Sequence, residues 1–451
     1  HQAHGENGGL MAGINGQGKI VVLDNENSGS SIPLSRKEQF ETRGFPEEGV
    51  RLTLEAEPED EQYILNLYAR NLQSGETIDS AFVRGIPSGR LEGNLALAAS
   101  LPDTTSEPSF WFQSWTLEGT KLISKEKNHF GPIMGVHYTI SQGNLHLTAQ
   151  MPPLSKKNLR PVKLEMNRKD NNKWREAGRS EINTPGYTAT FHLKDWDSRH
   201  AYTYRLSYPL GETMYLYKGT IQKEPQTHKI TVAGLHHHRF LPQPIGDSCQ
   251  FTRSNFWYPH RKMTKNIKSQ RPDLLIYTGN QVDRNQPVAY NKPRSEDAFL
   301  DYLYRWYLFC WSQGQLTRNV PSVVIPGAGD FYQKEPAADA NLFKKEAAPP
   351  SSSHNPMPVP FITMVQQTQT SHLPEPYDAS PNHQGIPAYY TTIDYGGISF
   401  AILEARKFKT SPHAPNKRDL QIYGERQLQF LKDWAEKWED VHLKAVITQD
   451  P

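Results

Sequence analysis

Two short apolar runs, each followed by a turn of small residues, constrain this chain most. The runs are 273–277 and 321–325, and the turns that follow them are 278–281 and 326–330. Between them, residues 296–311 carry apolar side chains at helical spacing. This order predicts parallel strands joined by a crossover helix, as in an α/β domain. Ligands bind at the carboxyl ends of such strands, so the turns are the expected position of a functional site.

The side chains of these turns are poor in metal ligands. The first turn offers the amides of Asn280 and Gln281, and the second offers two glycines, an alanine and one acid, Asp330. A two-metal hydrolase needs carboxylates and histidines at this edge of the sheet, because they hold the cations that activate water. Whether the chain is an enzyme therefore depends on these few positions.

Composition limits the classes of protein to which the chain can belong. With 451 residues it is long enough for two or three domains, and 11% aromatic residues with 34 prolines favour β-rich domains. The net charge is +2 without long runs of one sign, which argues against a nucleic-acid partner. Two cysteines are too few for a disulfide framework, and no apolar run predicts a membrane span. We expect the large aromatics, Trp115 and Trp306 among them, in the cores.

Three domains are predicted from the changes in pattern along the chain. Residues 1–131 alternate in the manner of half-buried strands and predict a β-sandwich of the concanavalin or jelly-roll kind. Residues 132–225 predict an immunoglobulin- or fibronectin-like sandwich. Residues 226–451 predict the α/β domain, with a surface loop rich in Pro, Ala and Ser at 334–360. The last predicted strand, 443–447, lies close to the end of the sequence, so we expect the α/β domain to be incomplete in this chain.

Several segments, taken in order, carry a resemblance to a known family. They are RPDLLIYTGNQ at 271–281, MVQQTQTSHLPEPYD at 364–378, the stretch 389–409 and GERQL at 424–428. Together they resemble the PhoD-like branch of the metallophosphoesterases, which are secreted alkaline phosphatases and phosphodiesterases. The segment 93–97 is similar to the sandwich domains that precede the catalytic domain in some relatives. The resemblance implies a metallophosphoesterase-like α/β domain in a bacterial protein.

The chain departs from the family at the positions that hold metal. The family's first turn carries an Asp that bridges two metal ions, and the matching residue here is Asn280. The second turn usually supplies Asp-Asp-His-Asp or Asn-His-Asp, and here only Asp330 matches. A later Glu-Asp-Arg becomes Glu404-Ala405-Arg406. The family's final histidine ligands follow a strand like 443–447, where this chain ends.

Five residues remain as candidate metal ligands, and each has a structural alternative. Asn280 and Asp330 are also favoured in turns, because their side chains bond nearby backbone. Asp283 follows the first turn and is alternatively a solvated acid. His236 and His238 belong to a run of three histidines, which suits a transition metal or a polar surface cluster. Adjacent strand residues point to opposite faces, so all three histidines cannot readily bind one ion.

Two further residues are candidates for binding a phosphoryl group. His372 lies in a segment that flanks the active-site cleft in the resembled family, so it either lines a pocket or packs a loop. Arg406 follows a predicted strand and can bind an anion through its planar guanidinium, or serve as a surface ion-pair residue. Cys249, in Ser-Cys-Gln, matches a metal motif of the family but lies too far past the first strand, and we interpret that match as chance.

Three functional hypotheses follow from these patterns. The first is a pseudophosphatase without a cofactor, secreted or on the cell surface or in a periplasm, which binds an extracellular polymer or associates with itself. The alternative is an active phosphatase or phosphodiesterase with a rebuilt site for calcium, iron or zinc. Carbohydrate binding by the first sandwich is compatible with either. The first residue, His1, is not a methionine and suggests a cleaved signal peptide, although a trimmed chain would look the same.

Overall fold

The computed structural model divides the chain into two compact units. One holds the described residues from 10 to 123, and the other holds those from 131 to 449. The residues that the structure describes are 10–15, 17–24, 30–36, 46, 48–93, 95, 97, 112–123, 131–168, 173–226, 229–236, 261–282, 295–332, 357–381, 385–405, 407–408 and 422–449.

The described residues of the first unit form two antiparallel sheets of three strands. Their order is β1-β2-β3 and β4-β5-β6. Alternate residues of β5, Leu65, Leu67 and Ala69, are buried and pack with Ile20 and Val22. This period of two is the one that the sequence predicts. The strands are β1 (Leu10–Ile14), β2 (Ile20–Asp24), β3 (Ser30–Ser31), β4 (Val50–Glu59), β5 (Gln62–Asn71) and β6 (Thr77–Pro87).

One buried acid ties the two sheets together. Asp79 of β6 is 3% exposed, and its carboxylate accepts the backbone N–H of Ile20 at 2.8 Å. Arg36 donates to the same carboxylate at 3.2 Å and to the Ile20 carbonyl at 3.0 Å. The buried charge is therefore both paired and hydrogen-bonded, as burial requires.

The second unit begins with a seven-stranded antiparallel sandwich. Its sheets have the orders β10-β9-β12-β13 and β11-β8-β7. This is the strand arrangement of the immunoglobulin and fibronectin type, and it confirms the β-sandwich predicted for this region. The strands are β7 (Gly135–Ser141), β8 (Asn144–Gln150), β9 (Val162–Arg168), β10 (Arg175–Ser180), β11 (Thr188–Leu193), β12 (Tyr202–Leu210) and β13 (Thr213–Ile221).

After the sandwich, the described residues form both helices and strands. The first sheet here is parallel, with the order β14-β15-β16, and in the second β18 pairs antiparallel with β17 and parallel with β19. The elements are β14 (Val232–Leu235), α1 (Arg261–Ser269), β15 (Leu274–Thr278), α2 (Ser295–Thr317), β16 (Ser322–Ile325), α3 (Val359–Thr370), β17 (Thr391–Tyr395), β18 (Ile398–Ile402), α4 (Gly424–Glu436) and β19 (Leu443–Ile447).

Some local predictions need correction. The crossover helix is longer than predicted, because α2 continues six residues beyond 311 to Thr317. The loop predicted at 334–360 ends earlier, since α3 begins at Val359, and the rest of it before residue 357 lies outside the described residues. Trp306 is fully buried as expected, but Trp115 is 51% exposed, so its predicted core position is wrong.

The sandwich and the parallel sheet share one apolar core. Val136 and Leu147 of the sandwich belong to the same buried cluster as Leu274 and Val323 of the parallel sheet. The side chain of Gln150, at the end of β8, crosses the junction: its oxygen accepts the indole N–H of Trp306 at 2.9 Å, and its nitrogen donates to the Gly186 carbonyl at 2.7 Å.

We expect this buried amide to be a major contributor to stability. Gln150→Leu leaves the Trp306 N–H and the Gly186 carbonyl without a partner, and each unpaired buried group costs about 1–3 kcal/mol. Urea unfolding should report a correspondingly lower free energy of unfolding. The matched control is Gln142→Leu, which removes an exposed 2.7 Å bond to Asp394 and should change stability by less than about 0.5 kcal/mol. Equal effects of the two variants would contradict the assignment.

Candidate functional site

The two turns meet at the carboxyl edge of the parallel sheet. β15 lies between β14 and β16, so their ends lie side by side. His236 follows β14, and its Nδ1 lies 2.9 Å from the hydroxyl of Thr278, the last residue of β15. The predicted candidates His236, Asn280 and Asp330 therefore lie on the same edge of the sheet.

Asp330 is the centre of this edge, and its carboxylate is saturated by backbone donors. The side chain is fully buried. One oxygen accepts the N–H of Asn280 at 2.9 Å and that of Gly327 at 2.7 Å, and the other accepts the N–H of Val282 at 2.6 Å. The side chain of Gln369 adds a further hydrogen bond. A carboxylate has about four acceptor positions, so few remain for a metal ion.

Asn280 completes the connection from the other side. Its backbone is left-handed, with φ of 62°, a conformation that Asn tolerates better than most residues. Its side-chain oxygen accepts the N–H of Gly329 at 2.8 Å. The backbone of each turn is therefore held by the polar side chain of the other turn.

The glycines allow the two turns to touch. A Cβ on Gly279 would lie 2.9 Å from the Cα of Gly327, and a Cβ on Gly327 would lie 2.6 Å from the side-chain oxygen of Asn280. Any larger residue at either position requires the backbones to separate. Close packing between the turns thus explains the glycine at position 327.

A network of glutamines, which the sequence did not reveal, supports this arrangement. Gln281 donates to the carbonyl of Ile325 at 3.0 Å and to the side-chain oxygen of Gln369 at 3.2 Å. Gln369 donates in turn to the hydroxyl of Tyr302 at 3.1 Å. All three polar side chains are buried. The available signal was the polar run 366–370, which directly follows the apolar residues Met364 and Val365.

Burial dominates the electrostatics of Asp330. Loss of solvent raises the pKa of its carboxyl to about 6, while the backbone N–H groups and Gln369 lower it. Because the folded-state pKa is raised, ionisation of this acid weakens folding as pH rises from the ordinary value of about 4 to about 6. The N–H donors keep that cost smaller than burial alone would make it.

His372 lies at the opposite edge of the sheet. Its Nε2 donates to the carbonyl of Ser322, the first residue of β16, at 2.9 Å, and its side chain is fully buried. At about 3.3 Å per residue, the four residues of β16 place that edge about 13 Å from the second turn. The geometry matches the loop-packing alternative for His372 and separates it from Asn280 and Asp330.

A second buried histidine, which the sequence did not indicate, lies beside His372. The ring of His137, on β7, lies 5.1 Å from that of His372 and stacks on Trp306 at 5.4 Å. Within the described residues, Nε2 of His137 and Nδ1 of His372 have no hydrogen-bond partner. Burial lowers the pKa of His137 to about 3 and holds that of His372 well below its usual range. Both rings are therefore neutral at neutral pH.

Glu404, in the Glu-Ala-Arg segment, also has a structural role. Its side chain is 3% exposed and forms an ion pair with Lys407 at 2.9 Å. Its second oxygen accepts the N–H of Tyr389 at 2.7 Å. The Lys407 ammonium lies 5.3 Å from the ring centroid of Phe331, the residue after Asp330. Burial lowers the pKa of Lys407, and Glu404 opposes that effect.

Several predicted candidates lie outside the described residues. They are His238, Asp283, Arg406 and Cys249. Among the residues that the structure does describe, no group of three or more His, Cys, Asp or Glu side chains is arranged to hold a metal ion. None of the described helices is long and apolar enough to span a bilayer.

Comparisons with known proteins do not place the chain in a family. No protein-family model and no curated protein matches it. The solved fibronectin domain of human collagen alpha-1(XX) is 18% identical over 22% of this chain and 87% of that one, with a TM-score of 0.16. A β-D-glucuronidase of Dictyoglomus thermophilum is 7% identical over 70% of this chain and 61% of that one, with a TM-score of 0.22. Similarities at such TM-scores carry no argument about activity.

The histidine pair predicts acid sensitivity of the second unit. Because burial lowers the folded-state pKa of both histidines, the free energy of unfolding is not reduced by their protonation above about pH 6.5. It falls as the pH drops toward 3, by up to about 1.4 kcal/mol per pH unit for each histidine. Between about pH 4 and 6, Asp330 acts in the opposite sense. His137→Phe should flatten the acid limb of stability against pH, measured by urea unfolding. His200→Phe, at the sandwich surface, is the control for a histidine-to-phenylalanine change away from the buried pair, and it should leave the acid limb produced by His137 in place.

Proposed function

We propose that this chain is a secreted pseudophosphatase, which keeps a PhoD-like scaffold and acts without hydrolysis as a binding or structural protein outside the cell. The observation that carries the proposal is the carboxylate of Asp330, which bonds three backbone N–H groups of the two turns. At the edge where a phosphoesterase would hold metal, the polar side chains hold backbone instead. The family and the extracellular location rest on the sequence resemblance alone.

The donor set of the described residues does not fit a two-metal centre. Such a centre stabilises two cations with several carboxylates and histidines. Here Asn280 is uncharged, its oxygen is taken by Gly329, and the one carboxylate beside it is taken by backbone N–H groups. To bind a metal, Asp330 would have to release donors that are themselves buried, at a cost of about 1–3 kcal/mol for each.

Space and charge support the same interpretation. The turns are in contact through Gly279 and Gly327, so a ligand side chain at Gly327 would collide with Asn280. Ala405, which stands where the family has an acid, is fully buried. Beside it, the Glu404 carboxylate is neutralised by Lys407, a fixed cation next to the Asp330 turn. To bind a metal cation, Glu404 would have to give up this buried ion pair.

The first test measures metal and turnover together. We expect the purified full chain to contain no stoichiometric calcium, iron, zinc or manganese. We also expect no hydrolysis of nitrophenyl phosphate mono- or diesters when these metals are added. Stoichiometric metal with turnover that Asp330→Asn abolishes would overturn the proposal. This variant retains the shape of the side chain, so we expect it to fold, and circular dichroism should be recorded to check this.

A second test restores the family's acid. Asn280→Asp puts two carboxylates at one buried site, where like charges disfavour ionisation. We expect lower stability at neutral pH than the wild type, by about 1–3 kcal/mol, and a smaller deficit near pH 4, where both acids are protonated. Added zinc or manganese should not restore stability. Stoichiometric metal binding that stabilises the variant would mean that the site still fits a cation, against the proposal.

A further inference from the structure

Among the described residues, β4 is an outer strand with a long edge. It has ten residues and stands at one end of the sheet β4-β5-β6. Within the part of the chain that the structure describes, it pairs with β5 and with no other strand. An outer strand of this length presents a row of backbone N–H and C=O groups to which another strand can add.

The core-facing side of β4 is incompletely covered. Leu52 lies opposite Ala69 and Leu54 lies opposite Leu67, and paired residues share one face of the sheet. Ala69 and Leu67 are fully buried, but Leu52 is 42% exposed and Leu54 is 49% exposed. The apolar face of the sheet therefore continues past the point where the opposing sheet covers it, and a further strand beyond β4 would extend that cover.

The sequence of β4 is complementary to itself. Val50, Leu52, Leu54 and Ala56 lie on one face, and Arg51, Thr53 and Glu55 lie on the other. When two copies run antiparallel about Thr53, Leu52 lies opposite Leu54, and Val50 lies opposite Ala56. Arg51 then lies opposite Glu55, and this ion pair occurs twice because of the symmetry.

We propose that two copies of this chain associate through β4, antiparallel and centred on Thr53, so that the sheets join into one of six strands. The interface is isologous, as a two-fold dimer requires. Opposite charges and aliphatic side chains that face each other across strands stabilise such pairs. The occupant of the open edge is thus β4 of a second copy.

Charge and the missing N–H of Pro58 together favour this register over its neighbours. Centring on Glu55 would put the two Glu55 side chains opposite each other, and a parallel arrangement would bring like charges together along the strand. Centring on Leu54 would put Val50 opposite Pro58, which has no N–H to donate. Like charges directly opposite each other disfavour the Glu55-centred and the parallel arrangements. The Leu54-centred register keeps an attractive Arg51–Glu57 pair, so the missing N–H of Pro58 is the argument against it.

This inference goes beyond the loss of hydrolysis, because it rests on the first unit alone and stands whether or not turnover is found. It names a partner, a second copy, for the non-hydrolytic role. A result against the dimer leaves the argument at Asp330 untouched, and a result against that argument leaves the dimer untouched.

Charge reversal tests the pairing in the full chain. Sedimentation velocity over a dilution series should give a monomer–dimer equilibrium. Arg51→Glu alone and Glu55→Arg alone should each raise the dissociation constant by at least about tenfold, since two attractive pairs become repulsive. The double variant R51E/E55R should return to the wild-type value. Lys19→Glu, in the exposed turn before β2, is the charge-reversal control and should dimerise normally.

Cysteine cross-linking tests the register. Facing Cα atoms in antiparallel strands lie about 4.5–5.5 Å apart, within disulfide range. Thr53→Cys should give a covalent dimer under mild oxidation, while Leu54→Cys and Glu57→Cys should remain at the wild-type background. A wild type that sediments as a monomer throughout would overturn the proposal. So would a dimer that ignores both charge reversals, or one that cross-links through position 54.

Discussion

The contact between Asp330 and the backbone of the two turns is the interaction on which the second unit's sheet edge depends. Three N–H groups, from Asn280, Gly327 and Val282, converge on one buried carboxylate. These donors point inward from tight turns, so without Asp330 they would be buried and unpaired. The acid that resembles a surviving metal ligand therefore has a sufficient structural reason to be there.

Much of this edge could be predicted from sequence. The continuous apolar runs predicted β15 and β16, and the helical spacing between them predicted the crossover helix, because both patterns reflect local burial. Parallel strands end at one edge, so the proximity of Asn280 and Asp330 followed from topology. The long strands of the first unit followed from alternation. The sequence did not decide whether the side chains of Asn280 and Asp330 bind metal or backbone, because Asn and Asp are suited to both.

The remainder depended on contacts between residues that are distant in sequence. α3 was not predicted, because Val, Ile, Thr and Pro dominate much of VPFITMVQQTQT and its polar residues turn inward to Gln281 and Tyr302. Nothing in the sequence indicated that His137 differs from other strand residues, yet its ring stacks on Trp306 and lies beside His372. Periodicity reports which face is buried but not which distant polar group meets it there.

The measurement that tests the central claim most directly is amide hydrogen exchange at Asn280, Val282 and Gly327, followed with chelator and with added zinc or manganese. If Asp330 is bonded to these N–H groups, all three should exchange slowly and at rates that neither chelator nor metal changes. Fast exchange with chelator that becomes slow on metal addition would show that the carboxylate is free to bind a cation, and would contradict the account.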